Sequence, residues 1–134
     1  MARELSANLA EATKQFSYDG NECDVVLLRK SPDGKAQHRY RNRECTGGNW
    51  LAWCPSKNLV DFDHLRMILI DRGWGWTTEY CPHSRLHTFT VIVRLRYYSA
   101  VHTNYKIAAC EALLKTFTEE SKLEKTKDEY TRRS

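Results

Sequence analysis

Ser31-Pro32-Asp33-Gly34 restricts what this chain can fold into more than any other segment. Proline presets the second position of a four-residue turn, aspartate bonds back to the local backbone, and glycine takes the last place. Before it, Cys23 to Lys30 is an apolar run built on Val25, Val26, Leu27 and Leu28. After it, Ala36, His38 and Tyr40 alternate with Gln37, Arg39 and Arg41, the period of a half-covered strand. The two runs must return on one another as an antiparallel hairpin. One face of that hairpin is cationic.

Further along, the hydrophobic period alternates between strand and helix. Arg3 to Phe16 reads as a helix with Leu5, Leu9, Ala12 and Phe16 on one stripe, broken by Tyr18-Asp19-Gly20-Asn21. Thr46-Gly47-Gly48-Asn49 leads into a short extended piece, Trp50 to Cys54, which Pro55 ends. Asp61 to Arg72 is a second helix with Phe62, Leu65, Ile68 and Leu69 inward, Asn58 or Asp61 as its cap and Gly73 at its end. Trp74 to Cys81 alternates as a strand, and Pro82-His83-Ser84-Arg85 turns the chain. His87 to Tyr98 reads as one long strand, with Phe89, Val91, Val93, Leu95 and Tyr97 toward the core. A third helix, Asn104 to Phe117, is capped by Thr103 or Asn104, buries Ile107, Cys110, Leu114 and Phe117, and packs closely through Ala108, Ala109 and Ala112. The expected class is α+β: an antiparallel sheet of about four to five strands with helices on both faces, in the order α-β-β-(β)-α-β-β-α. The expected organisation is a single domain over 1–117 followed by a charged tail, 118–134, that prolongs the helix or is disordered.

Composition fits this outline. The chain has 134 residues, 41% of them hydrophobic and 28% charged, so one domain can bury a core without staples. No apolar run approaches the roughly 18 residues of a membrane span, and the N-terminus lacks the apolar stretch of a signal peptide. Five cysteines at irregular spacing read as reduced packing thiols of a cytoplasmic protein. The net charge is +4, and the segment Arg29–Arg43 alone carries six bases against one acid.

The segment from Asn58 to Phe117 resembles small phage proteins of the phage ABA-sandwich type, named for helix–sheet–helix layering. The resemblance rests on a helix ending in Arg72-Gly73-Trp74, the aromatic strand Trp74-Gly75-Trp76 and the strand Phe89-Thr90-Val91-Ile92-Val93. Tyr97-Tyr98-Ser99-Ala100 and the helix Ile107 to Leu114 complete it. It covers about half the chain, mostly through packing residues, and the family carries no agreed chemistry. It implies a viral or prophage origin, and small phage proteins of this size often bind a host factor, defence machinery included. The basic hairpin departs from the pattern. The layout is also similar to a double-stranded-RNA-binding domain, but the last helix begins Thr103-Asn104-Tyr105-Lys106, with one lysine where such domains carry a cluster.

Candidate chemistry lies in a few places. Arg39, Arg41 and Arg43 share one side of a strand at about 7 Å spacing, suited to phosphates or to carboxylates on an acidic protein. With Arg29, Lys30 and Lys35 they form the candidate binding surface, and the bland reading is an edge strand whose charges block aggregation. Trp50 and Trp53 are candidate anchors if exposed, and core residues otherwise. Cys81, His83 and His87, with Cys54 or His64, have the ligand types for zinc without the usual paired spacing. Cys23, Cys45 or Cys54 beside His38 or His64 could form a nucleophilic pair, though no spacing requires it. There is no P-loop, and Asp61 reads as a cap rather than as half of a carboxylate pair. The expectation is a non-enzymatic protein without cofactor or metal that binds and inhibits a host protein through the basic hairpin. Direct nucleic-acid binding, or sequestration of a phosphorylated signal nucleotide in an oligomer cleft, are the alternatives.

Overall fold

The computed structural model describes the backbone of residues 2–18, 21–41 and 49–133, and the side-chain surroundings of these apart from 2–3, 21–24 and 126–133. The α+β class with antiparallel pairing holds. The strands are divided between two sheets, of four and three strands, rather than gathered in one.

Helix α1, Ala2–Thr13, buries Ser6, Ala7, Leu9, Ala10 and Thr13. It stops short of the Phe16 expected from its stripe. Lys14 takes a left-handed φ of 65°, its N–H closes the last turn on Ala10 O at 2.9 Å, and its carbonyl accepts from Leu28 N at 2.6 Å. Phe16 therefore reaches the core from strand β1, Gln15–Tyr18, opposite Val26. Strands β2, Asn21–Lys30, and β3, Ala36–Tyr40, form the expected hairpin. At its turn Gly34 has φ 85° and donates to Ser31 O at 2.9 Å, while the Ser31 hydroxyl bonds the Asp33 carboxylate and accepts from Lys35 N. The two-residue β4, Leu51–Ala52, pairs with β3 and completes the first sheet in the order β1-β2-β3-β4. Val26, Leu28, Ala36 and His38 face inward against α1.

Helix α2, Leu59–Arg72, is held at both ends by local chemistry. The Asn58 side chain accepts from Val60 N at 2.9 Å and Asp61 N at 3.2 Å. Gly73, at φ 72°, donates to Ile70 O, and Trp74 N donates to Leu69 O. Its buried side includes His64 and Asp61 beside Leu65, Met67, Ile68 and Leu69, and the helix packs on β1.

The second sheet is the meander β5, Gly75–Cys81, β6, Leu86–Val93, and β7, Arg96–His102. The expected single strand over 87–98 is two strands. Val93 pairs with Arg96 across a two-residue turn in which Arg94 has φ 58°. That turn reverses the side-chain parity beyond it, since faces alternate with period two. Tyr98 is buried in place of Tyr97, and Leu95 projects from the turn at 89% exposure. Helix α3, Tyr105–Arg133, packs on β6, β7 and α1 and continues through most of the charged segment. Ala108, Cys110, Ala112, Leu113 and Thr116 are its innermost residues. Arg96 binds Glu120 through two contacts of 2.7 Å, and Tyr98 donates to the same carboxylate, tying α3 to β7. The opposite face of this sheet, which includes Thr77, Ser99 and Val101, stays open.

Candidate anion-binding face

Strand parity decides which of the basic residues meet. On the outward side of the first sheet, Arg29 lies opposite Gln37, Leu27 lies opposite Arg39, and Arg41 N donates to Val25 O at 2.7 Å. Arg29, Arg39 and Arg41 thus share one face. Arg29 Nε donates to Gln37 Oε1 at 2.9 Å, which fixes the fork along the sheet. The half-buried Trp50, next to β4, sits against both guanidiniums, with the Cζ of Arg29 4.1 Å and that of Arg39 4.7 Å from its ring centroid. Such contacts are worth about 0.5–2 kcal/mol each and restrict long side chains that would otherwise sample many rotamers. Among the described residues, no carboxylate forms an ion pair with Arg29, Arg39 or Arg41.

The other basic residues of the segment stand apart. Lys30 is in register with Ala36, on the opposite parity, and projects from the strand end. Lys35 lies in the turn, 3.7 Å from Asp33. Arg43 lies outside the described residues. Trp53 is corrected from candidate anchor to core residue. It is 2% exposed, and its Nε1–H donates to His64 Nδ1 at 3.2 Å. A tryptophan buried with its one polar atom satisfied has nothing left to offer a partner.

The arginine face runs into a cleft of about 430 Å³ between β1 and the end of α2. Gln15, Ser17, Arg41, Asp71 and Arg72 line it. Arg72 is oriented by a 3.1 Å bond to Thr13 O and by the Phe117 ring 5.2 Å away. Sequence reasoning missed Arg72 because a basic residue in the last turn of a helix reads as a partner for the helix dipole.

Behind the face lies a buried cluster that the sequence did not suggest. His64, wholly buried, has Phe16, Tyr18, His38 and Tyr40 within 5.4–6.3 Å, centroid to centroid. Because Nδ1 accepts from Trp53, the ring proton belongs on Nε2, 3.3 Å from the Tyr40 hydroxyl. Burial, helped by His38, pushes its pKa down to about 4, so the ring is neutral. Burial also lowers the pKa of His38, whose Nδ1 has no partner. The two imidazoles are packing groups closed off from solvent. Asp61 Oδ2 accepts from Cys54 N at 2.9 Å, which anchors the loop that presents Trp53. Cys54 lies 3.6 Å from the Ser56 hydroxyl; the side chains of Cys23 and Cys45 lie outside the described residues.

At the second hairpin, the His87 ring packs between Tyr80 at 4.6 Å and Tyr105 at 5.6 Å. Cys81 is exposed, and bonds from Ser84 lower its thiol pKa. Among the described residues no three metal-ligating side chains gather at one point. No described helix is long and apolar enough to cross a membrane. Compared with known proteins, the chain matches no family model, no curated protein and no solved structure.

Proposed function

We propose that this is a non-enzymatic binding protein whose Arg29–Arg39–Arg41 face, anchored by Trp50, docks on an acidic surface of a partner protein. The observation that carries the reading is that the guanidiniums of Arg29 and Arg39 are ordered by Trp50 and Gln37, and that neither they nor Arg41 form an ion pair with a carboxylate among the described residues. Solvating arginines on an edge need no such ordering. Pre-organised forks lose less entropy on meeting a carboxylate, and arginine with tryptophan is the usual make-up of a binding hot spot. The viral origin implied by the resemblance over residues 58–117 would make the partner a host protein and the effect inhibitory, antiviral defence being one such target. Nucleic acid is the second reading, because the same guanidiniums suit phosphates.

Affinity capture from host lysate separates the two. Wild-type protein should retain a protein partner that survives nuclease treatment, and R29E/R39E should lose it. Loss of every captured species on nuclease treatment would transfer the role to nucleic acid. Equal capture by both proteins would refute the assignment of this face.

A further inference from the structure

We propose that two copies of this chain pair antiparallel along strand β5, joining their three-stranded sheets into one of six strands. Exposed edges present unpaired backbone groups, and proteins guard them with short strands, bulges, prolines, lysines or covering elements. Strand β1 is only four residues long, has an irregularity between Ser17 and Tyr18, and lies under α2. Strand β4 has two residues. Strand β7 carries Arg96, tied to Glu120 of α3, and Lys115 of the same helix donates to its Ser99 carbonyl at 3.4 Å.

Strand β5 lacks these guards and carries a single charge, Glu79. Its seven residues, Gly-Trp-Thr-Thr-Glu-Tyr-Cys, contain no lysine, arginine or proline. Its register with β6 runs unbroken from Gly75–Ile92 to Cys81–Leu86. All seven residues are exposed, so both faces as well as the edge meet solvent, with Trp76 at 36% and Tyr80 at 53%. Two large aromatics on a regular, uncovered edge strand are what an interface leaves behind when its other half is absent.

The strand is self-complementary, which selects a second copy as its occupant. A two-fold axis through Thr78 sets Trp76 opposite Tyr80 of the second copy and Thr77 opposite its Glu79. Both aromatic pairs then lie on the helix-bearing face, because Trp76 is in register with the buried Val91. A groove of about 210 Å³ lined by Leu59, Phe62, Trp76, Phe89 and Tyr105 opens on that face, beside the incoming Tyr80. An axis through Glu79 would instead set two like charges against each other, which is destabilising.

Sedimentation equilibrium of the full chain tests this. Wild type should approach twice the 15.7 kDa chain mass at high micromolar concentration. T77E places a negative charge opposite Glu79 at two symmetric positions and should raise the dimer dissociation constant by about tenfold. T77K should lower it. Both changes are at an exposed position, and unchanged circular dichroism confirms that each variant folds. A wild type that stays monomeric, or T77E and T77K shifting the equilibrium in the same direction, would overturn the proposal.

Discussion

Trp50 and Trp53 lie three positions apart and have opposite roles, which makes them a direct comparison at the residue scale. Trp50 holds two guanidiniums at the surface, so W50A should weaken partner binding by about 1–2 kcal/mol while leaving the melting temperature nearly unchanged. Trp53 fills the core and bonds His64, so W53A should cost about 3–5 kcal/mol of stability in urea denaturation. His64 adds a pH dependence. Its folded pKa of about 4 lies below the unfolded value of 6.5, so between those limits the unfolded chain takes up a proton that the folded chain refuses. Stability should be at its plateau above about pH 6.5 and fall as pH drops toward 4, by up to about 1.4 kcal/mol per pH unit for this histidine. His38, lowered in the same direction, adds to the slope. Urea midpoints at pH 7, 6 and 5 would reveal this, and a flat series would contradict the buried neutral pair.

At the scale of the element, the caps of α2 carry measurable shares of stability. N58A removes the acceptor for two backbone N–H groups and should cost about 1 kcal/mol. G73A adds a Cβ that meets no atom within 4 Å, so its cost, about 1 kcal/mol, comes from the left-handed φ of 72° alone. Thermal denaturation of both variants measures these costs. The Gly73 cap was legible in the sequence because its chemistry is local, as was the Ser31–Gly34 turn; of the two N-cap candidates, Asn58 caps the helix while Asp61 accepts from Cys54 N instead. The Arg94–Leu95 turn was not. Val93-Arg94-Leu95-Arg96 contains no glycine, proline, asparagine or aspartate and continues the alternation of the strand before it, so only tertiary pairing marks the reversal. The end of α1 was hidden in the same way, since Lys14 carries the left-handed conformation usually left to glycine. Strand parity did place Arg39 and Arg41 correctly on one side, while the partners that order the face, Trp50 and Gln37, are contacts no spacing could reveal.

For the whole molecule, the excess charge is less important than where it sits. The formal +4 would draw any polyanion weakly and without a preferred orientation. The ordered face localises that attraction, and the adjoining cleft extends it to Arg72. The most direct test compares two variants of equal charge on an immobilised polyanion such as heparin. R29E/R39E removes the face, and K57E/K125E makes the same charge change at exposed lysines elsewhere. R29E/R39E should elute at distinctly lower salt than K57E/K125E, which should stay close to wild type. Equal elution of the two variants would show that net charge alone governs binding and would contradict the assignment of the face.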